Sequence, residues 1–171
     1  GHVDLVYEEI KKALPKGVHL ILNGDDPYLQ KFNLENEYET TYYSLDKTDL
    51  SYTDKKFKNL NINYCPKCNT KLVYDFYHFE NHGKFNCPKC DFSHPESKYT
   101  ITNIDYPNFE MTIDNKHKVK LQYDLLYSVY NTMAAYTTAC TLGLDETEVA
   151  KHISELNANS KMYNHYKYND S

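Results

Sequence analysis

The chain has 171 residues and contains neither arginine nor tryptophan; all 19 basic residues are lysine. The guanidinium fork that grips phosphates and carboxylates bidentately is therefore absent. Together with a formal net charge of −5, this argues against nucleic acid as a partner, which would call for a basic face. Glycine is scarce too. Gly1, Gly17, Gly24, Gly83 and Gly143 are the five present, and no two stand in GxxxxGK[ST] or GxGxxG spacing, so these residues hold no phosphate-cradling loop. No apolar run approaches a transmembrane length, and the N-terminal residues show no signal-peptide pattern. A cytoplasmic location with reduced thiols is the expectation. No serine or cysteine nucleophile stands beside a base, and no catalytic residue is assigned.

What is present begins with tyrosine. Its 18 copies are spread along the whole chain, which suits core filling better than a stacking platform for bases. Cysteine is more informative, because four of the five fall in two CPKC hooks, Cys65-x2-Cys68 and Cys87-x2-Cys90. That spacing matches a structural metal site. Each hook turns two thiolates toward one ion, and two hooks brought together complete a tetrahedron. Zinc is the expected occupant, with rubredoxin-like iron the alternative that the cysteines alone do not separate. Asn69 and Asp91 follow the hooks, and both residue types tolerate a left-handed turn. Between the hooks, "KLVYDFYHFENHGKF" reads as two short strands turning at Asn81, His82 and Gly83. A closed four-sulfur shell leaves no position for substrate, so the site is expected to be structural, with His78, His82 and His94 facing solvent. Residues 64–98 hold five lysines against two aspartates and two glutamates, too balanced for a ribbon that reads nucleic acid.

The flanking sequence alternates helix and strand. "VDLVYEEIKKAL" places Val3, Val6, Tyr7, Ile10, Ala13 and Leu14 on one helical face. "GVHLILN" reads as a buried strand running into "NGDDP", and polar residues at the carboxyl end of such a strand are where open α/β sheets bind ligands. The plainer alternative is a strand-to-helix turn, Asp26 capping and Pro27 opening the helix. "YETTYYSL", "KYTITNID", "NFEMTID" and "HKVKLQY" are four further strands. A helix follows with Val129, Met133, Tyr136 and Cys140 on one face and Gly143 at its end. The last helix opens with a capping box, Asp145 to Glu148, and a staple between Leu144 and Val149. The expected architecture is α/β with an antiparallel portion. Its expected boundaries are 1–60 for the first part of the core, 61–98 for an inserted ribbon and 99–171 for the remainder with a loose tail.

These pieces resemble the central domain of the Mur ligases. "LILNGDDPYLQKF" is similar to the family's strand end LNADDP, and "YSVYNTMAAYTTACTLGLDETEVAKHI" to its YN-containing helix and the short helix after it. A four-cysteine zinc ribbon between those two segments is similar to the MurT branch, the ligase-like subunits of lipid II isoglutaminyl synthase, and the resemblance covers about residues 1–162.

The resemblance implies a partial Mur ligase central domain, a three-layer sheet with flanking helices and an inserted zinc-ribbon hairpin. It also implies an ATP-dependent ligase that activates the D-glutamate α-carboxyl of the lipid II stem peptide, for amidation to D-isoglutamine by ammonia from a GatD-type glutaminase. Residue by residue, it implies that Asn131 contacts adenine and that Asn23, Asp25 and Asp26 border the nucleotide cleft, with zinc held by Cys65, Cys68, Cys87 and Cys90. ATP and magnesium are expected only in the complete enzyme, with weak or no ATP binding and no turnover by this chain alone. The family pattern is broken at Gly24, Leu125, Ser128 and Lys161, where alanine, glycine, asparagine and arginine are usual. Two alternatives stand beside this: a non-catalytic zinc ribbon that docks a protein partner, and another Mur or folylpolyglutamate-type ligase relative.

Overall fold

The computed structural model describes residues 2–54 and 64–159, with side chains over 5–54 and 64–158. The expected tail from residue 160 on, including Lys161, and half of the polar link before the first hook, residues 55–63, lie outside the described residues. In chain order the elements are α1 (His2–Ala13), β1 (His19–Asn23), a 3-10 turn (Leu29–Asn33), β2 (Glu39–Leu45), β3 (Val73–Phe79), β4 (His82–Asn86), β5 (Tyr99–Asp105), β6 (Glu110–Ile113), β7 (His117–Lys120), α2 (Leu126–Thr141) and α3 (Glu146–Asn159).

Five strands form one mixed sheet in the order β1-β2-β5-β6-β7, with β1, β2 and β5 parallel and the rest antiparallel. Parallel neighbours need a crossover connection. Between β1 and β2 the 3-10 turn provides it. Between β2 and β5 the crossover carries the four cysteines and a separate two-stranded sheet, β3-β4. β5 pairs with β2 only at Tyr43, Ser44 and Leu45, the last residues of β2. The ribbon therefore leaves at the carboxyl end of β2 and rejoins the sheet at the amino end of β5, beside the last residues of β2. The β6-β7 hairpin turns through Asp114 and Asn115, both at positive φ (51° and 55°), with the Lys116 amide donating to Ile113 O.

One sheet face carries the main core. Ile101, Met111, Ile113 and Val119 are fully buried against α2, whose Val129, Met133 and Tyr136 are also fully buried. The expected α2 stripe is thus the buried one. α2 ends in a Schellman motif. Gly143 at φ 92° lets its amide reach Cys140 O, and the Leu144 amide reaches Ala139 O. Asp145 caps α3 by accepting from the Thr147 and Glu148 amides. Leu144 stays exposed while Val149 is buried, so the expected staple does not cover Leu144.

The opposite face holds a smaller cluster of Leu20, Leu22 and Phe32, against which Tyr7 and Leu14 pack. The stripe expected on α1 is only partly buried there: Val6 and Ile10 are exposed, and the Val3 side chain lies outside the described residues. Periodicity defines an apolar face but not how much of it a neighbour reaches. A second correction concerns the ribbon turn. It falls on Glu80 and Asn81, with Glu80 at φ 49°, and His82 and Gly83 already belong to β4. After β1 the chain makes a 3-10 turn rather than an α-helix; the Tyr28 amide donates to Asp26 Oδ1 at 2.9 Å, so Asp26 caps the bend before that turn.

Candidate functional site

The two hooks converge. Cys65 Sγ lies 3.6 Å from Cys90 Sγ, Cys68 Sγ lies 3.5 Å from Cys87 Sγ, and all four sulfurs fall within 4.8 Å of one another. A disulfide would hold sulfurs at about 2.05 Å, and none forms. A tetrahedron with metal–sulfur bonds of about 2.3 Å places its sulfurs about 3.8 Å apart. The cluster therefore fits a four-thiolate ion.

The local backbone explains the convergence. Asn69 at φ 56° closes the first hook, its amide donating to Cys65 O, and the Cys65 amide returns to Thr70 O. In the second hook the Lys89 amide points at Cys87 Sγ and the Cys87 amide donates to Phe92 O. Asp91 is not left-handed like Asn69; it pairs instead with Lys67 at 2.7 Å and ties one hook to the other. Burial pushes the Cys65 thiol up to about 12, whereas the Thr70 hydroxyl beside Cys68 holds that thiol at about 6. Thiolate is the ligating form, and a bound cation deprotonates the remaining thiols.

The ribbon does not hang free. Its tip meets the DDP segment at Asp25, which is fully buried. Asp25 Oδ1 accepts from His94 Nε2 at 2.9 Å, while Oδ2 accepts from the Leu45 amide and the Tyr130 hydroxyl, each at 2.8 Å. The Asp25 carbonyl accepts from the Gly83 amide at 3.0 Å, and its own amide donates to Asn23 Oδ1. One residue thus joins β1, β2, the ribbon and α2. Burial first, then the Asp25 charge, raise the Tyr130 hydroxyl well above its ordinary value, so it stays protonated as the donor.

The three ribbon histidines are therefore not solvent-facing, contrary to expectation. His94 is bound to Asp25. His82 Nε2 stands 3.7 Å from Asp26 Oδ2. His78 is buried between Leu45 O and Ser51 Oγ, each at 2.9 Å. The reason is topological: the crossover returns to the strand ends, so the hairpin face carrying these rings lies against the core. Glycine permits the close approach. At Gly83, φ is 154° and a Cβ would stand 2.2 Å from Phe76 O; at Gly24 a Cβ would meet Pro95 Cγ at 3.1 Å.

Beside this junction lies a cavity of about 490 Å³ at the carboxyl end of β1. Asn23 reaches it from β1, and Leu125, Tyr130 and Asn131 from the start of α2. Phe79 and His82 reach it from the ribbon. The structure therefore brings Asn23 and Asn131 together on one cavity. It gives Asp25 a buried position with both carboxylate oxygens engaged, and places Asp26 against His82. Ser128 is buried, its hydroxyl accepting from the Tyr123 amide at 3.3 Å.

No family profile matches the chain. Curated relatives do. MurT of Staphylococcus aureus (strain COL), named subunit of lipid II isoglutaminyl synthase (glutamine-hydrolyzing), is 30% identical over 152 residues, which is 87% of this chain and 33% of the relative. The subunit of the same name from Streptococcus pneumoniae (strain ATCC BAA-255 / R6) is 27% identical over 150 residues, 85% of this chain and 33% of the relative. Among solved structures, a pseudomurein peptide ligase type C from Methanothermus fervidus superimposes with a TM-score of 0.66 at 25% identity, covering 87% of this chain and 29% of that one. The chain is related to MurT and has a Mur ligase-like fold. It spans about a third of the length of the MurT relatives it matches. Among the described residues no helix is long and apolar enough to cross a membrane. Sequence reasoning found this MurT relative's cysteines and both cavity asparagines. It missed His94, Tyr130 and Gly83 as docking partners of Asp25, and Phe79 and His82 as cavity residues; only Gly83 and the crowding of three histidines hinted at them.

Proposed function

We propose that the chain is the central part of an ATP-dependent carbon–nitrogen ligase that activates the D-glutamate α-carboxyl of the lipid II stem peptide for amidation to D-isoglutamine. The observation that carries this is the meeting of Asn23 and Asn131 on one cavity at the carboxyl ends of parallel strands, in a chain related to MurT over 87% of its length. Open α/β sheets bind nucleotides at that edge.

In this account residues 61–98 are an inserted ribbon held by one zinc ion, with residues 1–60 and 99–171 forming the core around it. Asn131 and Asn23 face the nucleotide, Asp26 borders it, and Asp25 supports the cleft by fixing the strand ends and the ribbon. The described residues hold no phosphate-cradling loop, so the γ-phosphate and magnesium are bound by other parts of the enzyme. There the carboxylate oxygen attacks the γ-phosphorus and ADP leaves. Ammonia, delivered by a GatD-type glutaminase, then attacks the acyl carbon and phosphate leaves. The enzyme works in the cytoplasm.

The rival, a ribbon serving only to dock a partner, fits less well, because the ribbon tip is already engaged by Asp25. The test combines the complete ligase polypeptide with its glutaminase, glutamine, ATP, magnesium and lipid II, and follows the stem peptide by mass spectrometry. ATP-dependent conversion of the D-glutamate carboxyl to the amide is expected. An active glutaminase releasing ammonia with no amidated lipid II would refute the proposal.

A further inference from the structure

We infer that the ribbon is itself part of the nucleotide site: Phe79 and His82 form the wall of the cavity that faces Asn131, and the adenine ring is held between them. The inference rests on the nucleotide reading above and adds to it a role for the metal module beyond its own folding.

Several observations carry it. The cavity, about 490 Å³, falls in the range of about 300–1,000 Å³ that small-molecule sites occupy. Phe79, Leu125 and Tyr127, all lining it, are 47%, 46% and 53% exposed, and apolar side chains gathered in this way mark a binding surface. Among the described residues no lysine, aspartate or glutamate lines it, which suits an uncharged ring better than phosphates. Its polar groups include the Asn131 amide, which offers donor and acceptor together and so matches a base edge, and the Asn23 amide, whose Oδ1 accepts from the Asp25 amide. On the ribbon side, the His82 ring lies 5.8 Å from the Tyr130 ring at 35°, and His82 Nδ1 is buried with no hydrogen-bond partner. The Tyr130 hydroxyl is pinned by Asp25, so the same residue that docks the ribbon also fixes the aromatic floor of the cavity.

The test uses adenosine, which has no phosphates and so reports the ring site alone. Its affinity for the metal-loaded chain is measured by ligand-observed NMR, a readout that reaches millimolar binding. The variants are Asn131→Ala, Phe79→Ala and Phe79→Leu, with Phe109→Ala as a control at an exposed apolar residue outside the cavity; metal content and circular dichroism verify folding. Base–aromatic stacking is lost with a ring, so Phe79→Ala and Phe79→Leu should each weaken adenosine at least about fivefold, with Phe109→Ala unchanged. If Asn131→Ala weakens adenosine and both Phe79 variants bind like the parent, the ribbon wall is wrong and the nucleotide reading stands. If the parent chain binds no adenosine, the ring site proposed here is refuted, and the nucleotide reading is judged by the amidation assay of the complete enzyme.

Discussion

Asp25 has no exposed surface, yet it is a carboxylate. Burial of such a group is tolerable only when its oxygens are hydrogen-bonded, and here three donors from three parts of the chain meet them. Asp25→Ala would strand the Leu45 amide, the Tyr130 hydroxyl and the His94 ring at once. A loss of about 3 kcal/mol or more is expected, read as a lowered denaturation midpoint, with Asp25→Asn recovering part of it. His78 gives a pH dependence with a definite sign. Burial, opposed by the Asp25 charge, lowers its pKa below the ordinary 6.5. The unfolded chain therefore binds this proton more readily than the folded one. The stability held by neutral His78 is complete above about pH 6.5 and falls as the pH drops from there toward the lower folded value. Leu45 O can only accept, so Nε2 donates to it and Nδ1 of the neutral ring accepts from the Ser51 hydroxyl; protonation removes the Nδ1 lone pair and forces that hydroxyl to turn and accept instead. Urea titrations between pH 7.5 and 5 (approximate limits bracketing the histidine range) should show a shallower decline for His78→Gln than for the parent. An unchanged decline would contradict the assignment.

Among the elements, the ribbon hairpin depends on one backbone position. Gly83 faces Phe76 O so closely that a Cβ would stand 2.2 Å away, whereas Gly17, also at positive φ (74°), has nothing within 4 Å. Gly17→Ala should cost about 1 kcal/mol from backbone strain alone. Gly83→Ala should cost distinctly more and shift the β3–β4 register, visible as lost cross-strand contacts between Tyr77 and residue 83 in NMR spectra. How far the sequence disclosed each element follows from the range of its contacts. The hooks were legible because Cys-x2-Cys geometry is local, and the α2 stripe because helical periodicity is local. The capping aspartate of α3 was legible for the same reason. The docking of ribbon on core was not. Asp25 meets His94 across 69 positions and Tyr130 across 105, and no spacing rule reaches that far. The α1 face was misjudged because burial depends on how large a neighbouring surface exists, which here is a three-residue cluster.

At the scale of the whole molecule, the metal ribbon takes the place that a helix usually holds as the crossover between parallel strands. A metal ion on its four sulfurs would stabilise its fold; structural zinc contributes on the order of 10 kcal/mol in small modules. Asp25 then transmits that order to the strand ends and to α2, and the cavity closes between them. Metal loading and the shape of the cleft are therefore expected to change together. Two backbone amides report it from either side, Leu45 donating to the Asp25 carboxylate and Gly83 donating to the Asp25 carbonyl. The decisive measurement is site-resolved hydrogen exchange of these two amides in the metal-loaded and chelator-stripped chain. Both should be protected with metal and both should lose protection when it is removed, while the α2–sheet core around Met111 and Met133 stays protected. Retention of full protection at Leu45 after the metal is gone would contradict the coupling of ribbon to core.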